Sequence, residues 1–116
     1  MTSNSDQLIR ETRDLDGARV SSVLGEIDMQ HAPALREALS DVVATRPRRL
    51  ILDMGDVQYI DSTGLGTLVY FLRKINAYQG KMVLTGMSPA VRGVFEITKL
   101  INVFSIHDTV EDAAKA

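Results

Sequence analysis

With 116 residues, the chain has room for one hydrophobic core and reads as a single domain over residues 1–116. Its 13 basic and 15 acidic residues leave a formal charge of −2, which gives no global attraction for nucleic acid or an acidic membrane. The lack of cysteine excludes disulfides, thiol catalysis and thiolate metal sites, and fits a reducing compartment.

The opening Met1-Thr2-Ser3-Asn4-Ser5-Asp6-Gln7 lacks the basic-then-apolar order of a secretory signal and reads as a frayed end of a cytoplasmic protein. Leu8 to Arg13 is a weak strand pattern. Asp16-Gly17 is a hairpin turn signal, because both residues tolerate positive φ. Ala18 to Leu24 alternates in part and should pair back antiparallel, with Gly25-Glu26-Ile27-Asp28 closing the hairpin. From about His31 to Ala44, Ala32, Leu35, Ala38, Leu39, Val42 and Val43 form a helical stripe, and Pro33 places the helix start close to His31.

Thr45-Arg46-Pro47 ends that helix. Leu50-Ile51-Leu52 is a short continuous apolar run, the pattern of a strand buried on both faces, and Gly55 to Ile60 reads as the loop that follows. A second helix spans about Ser62 to Tyr78, with Leu65, Leu68, Val69, Leu72 and Ile75 on one face and Gly80 as a left-handed cap. Its apolar stretch from Leu65 to Leu72 is the longest in the chain, far short of the roughly 18 residues of a membrane span. Lys81 to Thr85 is a further strand. Ser88-Pro89 is an N-cap and first-turn proline for a helix reaching about Leu100, Val103 to Ile106 a last strand, and Asp108 the cap of a last helix. The order is ββαβαβαβα, an α/β pattern with a mixed, largely parallel sheet and right-handed crossovers.

Chemistry converges on Ile60-Asp61-Ser62-Thr63-Gly64-Leu65-Gly66, where a strand run feeds a helix start. Two glycines in the first turns cost the helix roughly 0.8–1 kcal/mol each against alanine. A nucleophile elbow would need glycine at Ile60, and no base accompanies Ser62: His31 and His107 are the only histidines and both read as solvated or capping residues. Gly64 and Gly66 lack the third glycine of a dinucleotide loop, and no Gly-Lys-Ser/Thr follows them, so no cofactor is expected. Asp28, Asp53, Asp56 and Asp61 are loop aspartates that cap and turn rather than hold a metal. The basic residues are scattered, with Arg46 to Arg49 broken by Pro47, so no nucleic-acid surface is expected. Ser62 is then either a phosphoryl acceptor at a helix N-terminus, where the added charge is favourable to the helix and disruptive to a docked partner, or a plain part of an N-cap. Both readings stay open on the residues alone.

The chain resembles the STAS domain family, and within it the bacterial anti-sigma factor antagonists, on Gly25-Glu26-Ile27-Asp28, Leu50-Ile51-Leu52-Asp53, the Ile60 to Gly66 string and Ser88-Pro89-Ala90-Val91. The resemblance runs from about residue 8 to the C-terminus. It implies a STAS-like sheet with helices mainly on one face and a non-enzymatic partner-switching role. The unphosphorylated protein would bind an anti-sigma factor that is a GHKL-type serine kinase and so free a sigma factor. Phosphorylation of Ser62 (less readily Thr63) would break the complex, and a PP2C-type phosphatase would reverse it. The implied partner surface comprises Asp28, Asp61, Ser62, Thr63, Gly64, Gly66, Thr67 and Tyr70, with Thr63, Thr67, Tyr70 and Lys74 as an exposed stripe. The family also contains scaffold and lipid-transport subunits, the alternative roles.

Overall fold

The turn at Asp16-Gly17 takes positive φ at both residues, 51° and 84°, the geometry of a type I′ hairpin. It joins β1 (Ile9–Leu15) to β2 (Ala18–Ile27) in an antiparallel pair. The structure, a computed structural model, describes residues 8–115, so the end read as frayed, residues 1–7, lies outside the described residues. The remaining elements are α1 (Ala32–Ala44), β3 (Arg49–Ile60), α2 (Ser62–Ala77), β4 (Lys81–Thr85), α3 (Pro89–Ile97), β5 (Ser105–His107) and α4 (Val110–Lys115).

The five strands lie in sequence order, with only β1 antiparallel to its neighbour. A helix between each successive parallel pair, always crossing with the same hand, must fall on the same side of the sheet. Hence α1, α2 and α3 share one face, over a core that includes Leu35, Leu39, Leu52, Leu68, Phe71 and Phe95, all fully buried. Strand alternation divides the central run: Leu50 and Leu52 enter that core, while Ile51 faces the other side. There Val20, Ile51 and Val83, in register across β2, β3 and β4, lie beneath Val110, Ala113 and Ala114 of α4. Arg49 donates to the carbonyls of Ala113 (3.2 Å) and Ala114 (3.0 Å), tying that helix end down.

Several boundaries differ from the sequence reading. Gly55 to Ile60 is not a loop but the second half of β3, pairing with Leu24 to Ile27 of β2 through two register shifts. The extra residues at such bulges break the apolar alternation that marks a strand. The left-handed residue after α2 is Gln79 (φ 65°), not Gly80. Helix α3 stops at Ile97 because Lys99 turns left-handed (φ 68°), and residues 100–102 form a single 3₁₀ turn. The last strand covers 105–107 instead of 103–106, and α4 is capped by Thr109, whose Oγ1 accepts the Asp112 N–H at 3.0 Å, not by Asp108. Among the described residues, no helix is long and apolar enough to cross a membrane.

Candidate functional site

Strand β3 ends at Ile60, and Asp61 takes extended backbone angles as the N-cap of α2. Its two carboxylate oxygens have separate tasks. Oδ1 accepts the Gly64 N–H at 2.9 Å, closing the first helical turn, and Oδ2 accepts the Met29 N–H at 3.1 Å, from the segment between β2 and α1. The Asp61 N–H in turn donates to the Ile27 carbonyl at 3.2 Å. Asp61 thus fastens the start of α2 to the end of β2.

With Asp61 as cap, Ser62 is the first helical residue, and it is exposed, as is Thr63. The two glycines differ sharply. Gly64 is buried, and a Cβ there would collide with the Ile27 carbonyl oxygen while lying 2.7 Å from Ile27 Cγ2 and 2.9 Å from Ile60 Cγ1. It is the point where α2 meets β2. Gly66 is exposed, and a Cβ there would meet nothing within 4 Å. Thr67, expected on an exposed stripe with Tyr70 and Lys74, is 3% exposed; its hydroxyl donates to the Thr63 carbonyl at 3.0 Å, so a polar side chain packs inward without an unmet hydrogen bond. Tyr70 and Lys74 are exposed, with the Lys74 ammonium 5.4 Å from the Tyr70 ring centre.

Asp28 lies close in the chain to Met29 but points elsewhere. Its Oδ1 accepts the His31 backbone N–H at 2.9 Å and contacts His31 Nδ1 at 2.7 Å, fixing the entry to α1. Both carboxylates accept backbone N–H groups beside Ser62, Asp61 from Gly64 and Met29 and Asp28 from His31, and so place backbone around the serine. The four aspartates read as loop residues do not converge: Asp53 and Asp56 lie within β3, where Asp53 accepts the Gly55 N–H and Asp56 pairs with Arg10. The ligand atoms of Glu26, Asp28 and His31 lie within 4.8 Å of one another, with Asp28 and His31 already hydrogen-bonded to each other.

Partial burial of Asp28 disfavours its charged form, but the His31 backbone and ring hydrogen bonds, the His31 charge and the Gln30 N–H outweigh it, holding the carboxyl below its ordinary value of 3.8. A depressed carboxyl stabilises the fold above its unfolded-state pKa, and that contribution is lost as pH falls through the folded-state value. Urea midpoints measured downward from pH 5 should therefore fall less steeply in Asp28→Asn than in wild type below about pH 4. Parallel curves for the two proteins would refute this assignment.

Beside Ser62 the surface is a shallow groove of about 490 Å³, lined by Ser62, Leu65, Gly66, Val69, Tyr70, Arg73 and Leu100. Arg73 and Leu100 were not foreseen. Leu100 comes from the turn after α3, far away in sequence, and nothing in the local pattern announces that it meets α2.

The STAS domain profile matches residues 10–113 of this chain. The anti-sigma-B factor antagonist of Listeria monocytogenes is 38% identical over 84 residues, covering 72% of this chain and 74% of its own. The crystal structure of an anti-sigma factor antagonist from Mycobacterium paratuberculosis is similar at a TM-score of 0.84 and 36% identity, covering 98% of this chain and 97% of that one. The phosphorylated form of the Bacillus cell-fate determinant SpoIIAA superposes at a TM-score of 0.66 over 90% of this chain and 96% of that one; at 22% identity it speaks for the fold alone.

Proposed function

We propose that this chain, which belongs to the STAS domain family, is an anti-sigma factor antagonist: a non-enzymatic cytoplasmic domain that captures an anti-sigma factor and is released by phosphorylation of Ser62. The observation that carries the reading is the exposure of Ser62 at the first position of α2, on a helix start held rigidly by Asp61. A phosphoryl group there would carry a charge of about −1.5 to −2. The positive end of α2 stabilises such an anion, so the modified domain keeps its fold. A partner seated over Leu65, Gly66 and Val69 would meet an uncompensated dianion and lose its contact. On this reading the anti-sigma factor is itself the GHKL-type serine kinase, ATP supplies the phosphoryl group and a PP2C-type phosphatase removes it. Thr63 is a secondary acceptor, one residue further into the helix.

The test is reconstitution with that class of kinase. Ser62→Ala should bind the anti-sigma factor as wild type does and lose most of the phosphopeptide formed with Mg-ATP, with any remainder on Thr63. Ser62→Asp should bind about tenfold more weakly, the equivalent of about 1.4 kcal/mol. Equal affinity of Ser62→Asp and wild type would dismiss the docking claim, and undiminished phosphorylation of Ser62→Ala would move the main acceptor elsewhere.

A further inference from the structure

Past Tyr70 the exposed side of α2 continues into a second, larger groove of about 730 Å³ between the C-terminal halves of α1 and α2. Its floor is apolar, formed by Val43, Phe71 and Ala77, and its rim is basic, with Arg46, Arg73 and Lys74. Arg36 stands over the Tyr70 ring at 4.7 Å, and Arg46 over the Tyr78 ring at 4.7 Å. Among the described residues, none of these four cations forms a salt bridge, although the chain as a whole is acidic. The two acids of α1, Glu37 and Asp41, do not line the groove.

A guanidinium stacked on a ring keeps its N–H edge free for oxygen acceptors, so this rim donates hydrogen bonds to anions. Two features indicate which anion. The groove lies along the carbonyl ends of both helices, where no free N–H groups gather to cradle a compact phosphate. Its cations also come from different points along α2 instead of focusing on one. Arg36 of α1 lies over Tyr70 and Arg46 over Tyr78, rings eight residues and so roughly 12 Å apart at 1.5 Å per residue, with Arg73 and Lys74 between them. Separate carboxylates along an extended chain match that spacing. Moreover, Tyr70 and Arg73 line both this groove and the one that holds Ser62, so the two form one continuous surface.

We propose that the basic groove between α1 and α2 binds an acidic segment of a protein partner. Resting on the reading above, that partner is the one that covers Ser62. Docking then has two parts along one helix: an apolar end that Ser62 controls, and a basic end that sets affinity and salt dependence.

The first arm of the test needs no partner. Titration of the isotope-labelled full chain with a hexaglutamate peptide should shift amide signals of residues 40–46 and 70–78. Arg73→Gln/Lys74→Gln should weaken that response at least fivefold, Ser62→Asp should leave it intact, and hexaglutamine should produce none. Shifts scattered over the whole surface, or ATP binding the same residues more tightly than hexaglutamate, would overturn the proposal. The second arm uses the anti-sigma factor. There Arg73→Gln/Lys74→Gln should lower affinity about tenfold at low salt and flatten its salt dependence. If Ser62→Asp disrupts the complex while the double variant binds as wild type, the groove assignment fails and the Ser62 reading survives. If Ser62→Asp binds as wild type, that earlier reading fails, and the peptide titration alone decides the groove.

Discussion

Gly64→Ala should destabilise the domain by about 3 kcal/mol, although alanine is the better helix former by roughly 0.8–1 kcal/mol. The added methyl has no free direction. It would press on the Ile27 carbonyl oxygen, Ile27 Cγ2 and Ile60 Cγ1, and backbone at the end of a central strand cannot rotate aside as a side chain can. Relief requires α2 to lift from β2, which strains the Asp61 N–H to Ile27 bond and the contact from Asp61 to Met29. At about 4 °C per kcal/mol for a domain of this size, the melting temperature should drop on the order of 12 °C. Gly66→Ala is the matched control, two residues further along the same helix with open space around it. It should leave stability unchanged or raise it by up to about 1 kcal/mol. Thermal unfolding of both variants checks the pair, and a Gly64→Ala domain as stable as Gly66→Ala would contradict the packing described.

Asp61→Ala should cost about 2–3 kcal/mol, because it removes an N-cap, worth about 0.5–2 kcal/mol, together with the hydrogen bond that fixes Met29. Asp61→Asn divides the two contributions. The amide oxygen still caps Gly64, but the amide nitrogen then faces the Met29 N–H, donor against donor. Asparagine should therefore recover only part of the loss. Denaturant unfolding of the three proteins gives the ranking, aspartate above asparagine above alanine; full recovery by asparagine would mean that the Met29 bond contributes nothing.

Much of the fold was legible because its parts announce themselves locally. Asp16-Gly17 can hardly be other than a tight turn, Leu50-Ile51-Leu52 is apolar on both strand faces, and Leu65, Leu68, Leu72 and Ile75 keep helical spacing. What was missed depends on partners distant in the chain. The polar second half of β3 stays a strand because β3 itself bulges twice, each time with one extra residue, to remain paired with β2. Thr67 looks exposed by type, yet its hydroxyl is satisfied one turn back and its methyl is free to pack. Gly64 and Gly66 are indistinguishable in sequence, and only the position of Ile27 separates a required glycine from an optional one. The location of Ser62 at a helix start was legible; the backbone partners of Asp28 and Asp61 were not, since a carboxylate's target cannot be read before the amides around it are placed. The basic groove draws its residues from α1, α2 and the turn after α1, so no window of sequence displays it.

The lopsided layering of the sheet gives its two faces different vulnerabilities. One face lies under three helices, the other under the six residues of α4, which shield the row formed by Val20, Ile51 and Val83. Loss of α4 would leave Ser62 and both grooves in place but bare an apolar band across three strands. The signal-bearing side proposed above would then be unchanged, while the exposed band would make the molecule prone to aggregation.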